Sequence, residues 1–188
     1  TDDLMPIDHF GCIAPQYDRV FKPRLDENWL RLLGLPSSGT LLEIGGGTGR
    51  ISQMFEGKVD QIITLDESMQ MLYQAREKRC ISLVQGHAEQ LPFADAALDR
   101  VLLVDSYHHF RDHSQAAQEI VRVLKPGGKM LIEEPDIRWL SVKMIALMEK
   151  ILGMRSRFFR GEEITALFRG LQMCIRLEYK KGILWVVG

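Results

Sequence analysis

The chain has 188 residues, 46% of them apolar and 26% charged, and its formal net charge is −1. This composition is typical of a globular protein, and the length suits one full core, so residues 1–188 are expected to form a single domain. The near-neutral charge lacks the basic excess of nucleic-acid-binding proteins, so no nucleic-acid partner is expected. The sequence also lacks an apolar run of about 18 residues, which argues against a membrane span.

The three cysteines are odd in number and widely separated, and none belongs to a C-x-x-C pair. This spacing argues against a disulfide framework and against a zinc site, so no metal is expected. The absence of a signal peptide then predicts a cytoplasmic protein.

The first 38 residues carry two segments with helical spacing, from Asp8 to Val20 and from Asp26 to Leu33. The loop Pro36-Ser37-Ser38-Gly39 leads from them into the first strand.

The strongest functional signal is an apolar strand that ends at Glu43-Ile44 and is followed by a run of glycines. Glycine allows positive φ and a close approach of the backbone to a ligand. A helix expected to begin near Arg50 would add N–H groups that favour polar or negative ligand atoms. The segment therefore predicts a nucleotide-binding corner, built around Gly45, Gly46, Gly47 and Gly49.

Two common nucleotide motifs do not fit this corner. If the dinucleotide fingerprint G-x-G-x-x-G begins at Gly45, its third glycine falls on Arg50. If it begins at Gly46, its second glycine falls on Thr48. A phosphate-binding loop would need a lysine followed by serine or threonine, and the segment has none. The ligand is therefore not expected to be a dinucleotide.

Further strands and helices alternate downstream of the glycine run. Ile62–Asp66 is an apolar strand that ends in an acid. This acid lies about 20 residues after the glycine run, where such folds place a carboxylate for ribose hydroxyls. Ser68 is expected to cap the next helix. Short strands follow at Ile81–Val84 and Ala97–Val104, and this alternation predicts a parallel sheet with helices on both faces.

The C-terminal part predicts a different sheet ending. Gln172–Tyr179 and Ile183–Val187 have the character of strands and follow a helix at Glu162–Phe168. The turn between the two strands is too short for a parallel crossover, so they must be antiparallel.

The motifs between about residues 40 and 134 resemble, in order and spacing, those of the class I S-adenosyl-L-methionine-dependent methyltransferases, in the ubiquinone/menaquinone-biosynthesis-like group. The resemblance implies an α/β, Rossmann-like, seven-stranded sheet that is mostly parallel and ends in an antiparallel hairpin. It also implies S-adenosyl-L-methionine as cofactor and a small-molecule methyl acceptor. The matching segments are Glu43–Gly49, Asp66–Leu72, Gly86–Phe93 and Val123–Gly128.

The resemblance assigns roles to individual residues. Glu43 and the glycine-loop backbone hold the methionine end of the cofactor, Asp66 takes the ribose, and the loop of His87 and Ala88 edges the adenine. Met71 either packs near the cofactor or belongs to the core. The expected cofactor site consists of Glu43, Gly45, Gly46, Gly47, Gly49, Asp66, Glu67, Met71, His87, Ala88 and Asp105.

His87 stands where the family usually has an acid that accepts from the adenine amino group. A neutral imidazole nitrogen can also accept, although more weakly than a carboxylate. We expect an altered adenine contact here, and Glu89 is not expected to replace it.

The candidate catalytic residues are His108, His109 and Tyr17. Either histidine could serve as a general base, because its ordinary pKa lies near neutrality, or could instead pack on the cofactor or cap the loop. Tyr17 lies in a segment similar to the family's N-terminal A-x-x-Y-D, which closes over the cofactor, and it either contacts the site or anchors its helix. His113 is expected to begin the following helix and to be exposed.

Two interpretations of the function and two of one segment stay open. The favoured function is methyl transfer to a small molecule, and the alternative is a methyltransferase-like domain that binds the cofactor without catalysis. Residues 1–38 are expected to be a helical cover. Residues 135–160 are expected to be either a lid over the substrate or a helix packed on the sheet.

Overall fold

A seven-stranded sheet forms the centre of the molecule, with the strand order β3-β2-β1-β4-β5-β7-β6. The computed structural model describes residues 9–20, 22, 25–154 and 156–188. The strands are β1 Thr40–Ile44, β2 Gln61–Asp66, β3 Ser82–Gln85, β4 Leu98–Val104, β5 Leu124–Pro135, β6 Arg176–Lys180 and β7 Ile183–Val187. The α-helices are α1 His9–Val20, α2 Glu27–Leu33, α3 Met69–Ala75, α4 His113–Val123, α5 Leu140–Ile151 and α6 Gly161–Leu167, and short 3₁₀ helices span Ser52–Phe55 and Tyr107–His109.

The strand directions confirm the predicted fold class. Strands β1 to β5 pair in parallel, and β7 is antiparallel to both β5 and β6. Strand β1 has β2 on one side and β4 on the other, so the strand order switches direction at this point. In open α/β sheets a crevice forms beside such a switch, outside the carboxyl ends of the strands.

Helices cover both faces of the sheet, as predicted, because side chains along each strand alternate between the faces. Leu42 and Ile44 of β1 lie in a core that includes Ile120 of α4 and Ile164 of α6. Leu41, one residue away, lies in a second core with residues of α2 and of the 3₁₀ helix Ser52–Phe55.

Side-chain caps fix where several helices begin. The Ser68 hydroxyl accepts from the Met71 N–H at 3.3 Å, which confirms its predicted role as the cap of α3. Asp26 accepts from the Asn28 N–H at 2.8 Å and Asp112 from the Gln115 N–H at 2.9 Å. Each cap satisfies an N–H group that has no partner within its helix.

Two local predictions were wrong. The helix expected near Arg50 is a single 3₁₀ helix, Ser52–Phe55, since the chain turns at Gly57 with φ of +69° to enter β2 at Gln61. His113 does begin α4, but it is 9% exposed because its ring packs edge-on against Tyr107 and Phe159. Asp8, the predicted start of the first helix, and Arg155, within the 135–160 segment, lie outside the described residues.

Helix α5 does not bury an apolar face against the sheet. Val142 is its one buried residue, although the helix is rich in large apolar side chains. This exposure argues against the interpretation of this segment as an ordinary helix packed on the sheet. None of the described helices is long and apolar enough to cross a membrane. The exposed apolar residues of this segment are Trp139, Leu140, Met144, Ile145, Leu147, Met148, Ile151 and Leu152.

Candidate active site

A cleft opens beside the carboxyl ends of β1, β2 and β4 and encloses about 840 Å³, open solvent included. The cleft brings together most of the residues selected from the sequence, namely Tyr17, Glu43, Gly45, Gly46, Gly47, Asp66, Glu67, Met71, His87, Ala88, Asp105 and His109. Gly49 and His108 are not among its lining residues.

The glycine loop is tied to the end of β2. The N–H groups of Gly45 and Gly46 donate to the Leu65 carbonyl at 2.8 and 3.1 Å. Gly47 has a φ of +55°, and a Cβ there would lie 2.9 Å from Cε of Met71. The backbone conformation therefore favours glycine at this position, and an added Cβ would displace the end of the Met71 side chain.

Gly49 serves packing and not the cleft. Its φ is +70°, and a Cβ at this position would lie 2.4 Å from Cδ1 of Ile81. The assignment of Gly49 to the cofactor site is therefore corrected: the glycine lets the chain pass close to Ile81.

Asp66 organises the loop that it faces. Its Oδ2 accepts from the Gly47 N–H at 2.7 Å, and its Oδ1 accepts from the Ser68 N–H at 2.9 Å. A carboxylate has about four acceptor positions, so these two bonds leave capacity for ligand hydroxyls. The residue therefore joins the glycine loop, the start of α3 and the cleft.

Glu43 is a buried acid at the closed end of the cleft. It is 2% exposed, and its Oε2 accepts from the Ser52 hydroxyl. Burial raises the pKa of its carboxyl to about 7, against the lowering effects of Ser52 and Arg50. A cationic group beside Glu43 would favour the charged carboxylate.

Asp105 is a second perturbed acid in the cleft. Its side chain is open to the cleft, yet protein atoms crowd the carboxylate, and this desolvation together with nearby Glu134 raises its pKa to about 6. Its backbone has a φ of +51°, which is uncommon for a residue other than glycine. Such strained residues concentrate at functional sites.

The donor set fits the cofactor that the family resemblance implies. S-adenosylmethionine carries an ammonium and a sulfonium, and the cleft presents the acids Glu43, Asp66 and Asp105 to them. Gly45, Gly46 and Gly47 line the cleft, so the backbone of the loop borders the space for the ligand.

The loop after β3 also lines the cleft. Nδ1 of His87 lies 3.1 Å from Oε2 of Glu67, and the His87 side chain is 52% exposed. If Nδ1 donates to this carboxylate, Nε2 of the neutral ring is an acceptor. Glu89 instead accepts from the N–H groups of Arg111 and Asp112, so its carboxylate is engaged elsewhere, as expected.

Helix α1 docks on the glycine loop through two adjacent residues. Tyr17 lines the cleft, with the Arg50 guanidinium 5.7 Å from its ring centroid. Asp18 accepts from the Thr48 hydroxyl and pairs with Lys78 at 2.9 Å. Burial is the main cause that raises the pKa of Tyr17, so its hydroxyl is neutral at physiological pH.

His108 is held away from the cleft. It is 4% exposed, and its Nδ1 lies 2.5 Å from Oε2 of Glu134. Burial alone would lower its pKa, but the Glu134 carboxylate overrides this and raises it. The burial corrects the assignment of His108 as a base in contact with the acceptor.

His109 does line the cleft, but its protonation differs from the expected one. Its Nδ1 lies 3.1 Å from the Ser156 hydroxyl. Burial and the neighbouring His108 lower its pKa to about 3. The ring is therefore neutral over the physiological range and a weak base.

Several residues of the site were not predicted from the sequence. Arg50 and Phe110 flank the motifs that were recognised, and both line the cleft. Glu134 does not line it but holds the loop that does. Its position at the end of a parallel strand was a usable signal, because such ends meet at one edge of the sheet.

Comparison with known proteins gives a consistent result. The family model described as a methyltransferase domain matches residues 42–132. A ubiquinone/menaquinone biosynthesis C-methyltransferase, UbiE, from Pseudomonas aeruginosa is 32% identical over an alignment of 178 residues, which covers 80% of this chain and 70% of that enzyme. A demethylmenaquinone methyltransferase from Renibacterium salmoninarum is 31% identical over 133 residues, covering 66% of this chain and 56% of that enzyme.

The chain thus spans between about half and three quarters of the length of these two relatives. Among solved structures, an S-adenosylmethionine-dependent methyltransferase from Thermotoga maritima superposes with a TM-score of 0.71 and 21% identity. The match covers 96% of this chain and 99% of that one, and it shows that the two proteins share a fold.

Proposed function

Because the chain belongs to the class I S-adenosylmethionine-dependent methyltransferases, with S-adenosylmethionine as cofactor, we propose that it methylates a small, largely apolar acceptor of the quinone or hydroquinone type. One observation carries this proposal. The same cleft is lined by Glu43 and Asp66 beside the glycine loop and by the aromatic residues Tyr17 and Phe110 with neutral His109. The first group suits a cationic cofactor and the second an aromatic acceptor.

The acceptor class follows from the relatives and from the walls of the cleft. The two relatives are named for methylation in ubiquinone and menaquinone biosynthesis. In this chain, Val104 and Phe110 give the cleft apolar surface. An apolar ring would be favoured by both.

When bound, the cofactor supplies a methyl group on a sulfonium for in-line displacement. The residues of the chain contribute mainly by holding cofactor and acceptor in line, which can lower the barrier by several kcal/mol (roughly 7–11 for well-oriented reactants). Of the titratable groups in the cleft, Asp105 has a pKa of about 6 and is better matched to take a proton from the acceptor than His109. We assign His109 a positioning role.

Two segments are proposed to enclose the reaction. Residues 1–38 would act as a cover, since Tyr17 of α1 faces the cleft while Asp18 fastens the helix to Thr48 and Lys78. Residues 135–160 would act as a lid, since Arg157 donates to the His108 carbonyl at 2.8 Å through its backbone. We propose that both segments belong to one domain with the sheet.

The test separates binding from catalysis. Calorimetry with S-adenosylhomocysteine, the demethylated cofactor, should show saturable binding. Catalysis is then measured as the formation of S-adenosylhomocysteine from S-adenosylmethionine, with hydroquinones, phenols, amines and thiols of similar size as candidate acceptors. Turnover with a hydroquinone supports the proposal, and turnover with amines alone contradicts the acceptor class. Binding without turnover on the whole panel would favour the non-catalytic alternative.

A further inference from the structure

A cluster of metal-binding side chains lies behind the wall of the cleft. His108 and His109 come from the 3₁₀ helix Tyr107–His109, and Glu149 comes from α5. One ligand atom of each lies within 4.8 Å of the other two. Glu149 lies 40 positions after His109 in the chain and is brought to the two histidines by the fold, so no local spacing in the sequence could reveal the cluster.

Both imidazoles are oriented by neighbours that bind the Nδ1 atoms. Glu134 lies 2.5 Å from Nδ1 of His108, and the Ser156 hydroxyl lies 3.1 Å from Nδ1 of His109. Metal-binding histidines commonly use one ring nitrogen for the ion and the other for such a partner, which fixes the ring. The carboxylate–histidine pair here has that arrangement, and the buried position of His108 keeps it rigid.

Glu149 provides an independent observation. Its Oε2 is fully buried and has no hydrogen-bond partner among the described residues. A buried carboxylate oxygen without a partner is costly, and such groups are normally paired or bound to a metal. The same carboxylate faces the two imidazoles, so a cation between them would satisfy it.

We propose that His108, His109 and Glu149 bind a divalent first-row transition-metal ion, such as Zn²⁺. Two imidazoles and one carboxylate are a common ligand set for this class of ion and leave at least one coordination position open. Ligand atoms about 2.0–2.2 Å from such an ion lie about 3.4 Å apart in a tetrahedron. The ligand atoms, now within 4.8 Å of one another, must approach by up to about 1.4 Å to reach this geometry.

The ion would link two parts of the molecule. Glu149 lies on α5, which buries only Val142, whereas the histidines belong to the loop beside the cleft. An ion shared between them fastens α5 to that loop. Because His109 lines the cleft, the ion lies directly behind its wall.

The test is titration of untagged, cofactor-free protein with Zn²⁺ by calorimetry, in a reductant that does not bind metals. Saturable binding of one ion is expected, with a rise in the melting temperature. Co²⁺ should give the visible absorption of a low-coordinate site. The measurement needs neither cofactor nor acceptor, so its result is independent of the proposed methyl transfer.

Variants localise the ion. Loss of a residue that only orients a metal ligand, as in Glu134→Gln, should weaken Zn²⁺ binding about 10- to 100-fold. Glu149→Gln and His109→Ala remove a ligand itself, so each should weaken binding more than about 100-fold. Glu178→Gln, the same change on the surface strand β6, should bind Zn²⁺ as the parent does. Absence of one-to-one binding, or equal affinity of Glu149→Gln and the parent, would overturn the proposal.

Discussion

The carboxylate of Glu134, at the end of β5, lies 2.5 Å from Nδ1 of His108, and both side chains are 4% exposed. Its other oxygen accepts from the backbone N–H groups of Ser106 and Tyr107 at 3.1 and 2.7 Å. One buried acid thus fixes the loop that follows β4. This loop includes Ser106 and His109, which line the cleft.

Removal of this acid should destabilise the fold strongly. Glu134→Ala leaves His108 and two buried N–H groups without their acceptor, and breaking a buried pair costs about 3–5 kcal/mol. Urea unfolding measures the change. The control is Glu178→Ala, which breaks surface ion pairs with Arg31 and Arg176 and should cost no more than about 1 kcal/mol for each pair. Equal losses for the two variants would show that Glu134 has no special role.

Gly47→Ala should weaken cofactor binding at least tenfold. The new Cβ meets Met71 and changes the loop that holds the Asp66 carboxylate. Gly57→Ala is the matched control, because Gly57 also has positive φ, at +69°, but has no atom within 4 Å of the added carbon. In both variants, alanine at positive φ lowers the stability by about 1–2 kcal/mol. Calorimetry with S-adenosylhomocysteine should separate them, and similar affinities would contradict the placement of the loop.

Asp66→Ala should lower cofactor affinity by about 10- to 150-fold. The substitution removes a charged acceptor, worth roughly 1.5–3 kcal/mol, and frees the Gly47 N–H that it holds. Asp95→Ala, the same change at an exposed position paired with Arg122, should leave affinity unchanged. An Asp66→Ala protein that binds as tightly as the parent would exclude Asp66 as a ribose ligand.

The stability of the ligand-free protein should fall as pH rises from about 4.5 to 7. Burial raises the pKa of Glu133 from 4.5 to about 7 against the lowering effect of two indole donors, Trp185 and Trp29. The folded state therefore holds a proton that the unfolded state has lost, so this stabilisation is present below pH 4.5 and disappears through pH 7. The change amounts to at most about 3 kcal/mol. Glu133→Gln should reduce this slope in unfolding measured across the range, and an unchanged slope would refute the role of Glu133.

Cofactor affinity should rise with pH up to about 7 and then level off. The pKa of Glu43 is about 7 in the free protein, and only its charged form attracts an ammonium. Below pH 7, binding must release a proton, which weakens it by up to about tenfold per pH unit. Glu43→Gln should bind weakly with a smaller pH dependence. Glu133→Gln removes an acid with a similar pKa outside the cleft, so it should retain the parent's pH profile.

The alternation of strands and helices and the core of the cleft could be predicted from the sequence, since they depend on local signals. A strand that ends in Asp66, the Ser68 cap and the glycine run each act within a few residues. Parallel strands then bring their ends to one edge of the sheet. The positions of Glu43, Asp66 and His87 at the cleft follow from this alone.

The errors came from contacts between distant segments. His108 and His109 are adjacent and looked equivalent, yet Glu134 and Phe158 bury the first while the second faces the cleft. Gly49 matched a motif but faces Ile81. The apolar spacing of α5 predicted a helix correctly but not its exposed apolar side chains, because periodicity does not identify what a helix packs against.

Strand β6 reaches the sheet through β7, since the order at this end is β5-β7-β6. The two ladders therefore act in series. Strand β6 can detach alone, whereas separation of β7 from β5 must release both strands together. Attachment of the whole hairpin to the rest of the sheet therefore depends on a single ladder, from Leu131–Val187 to Pro135–Ile183.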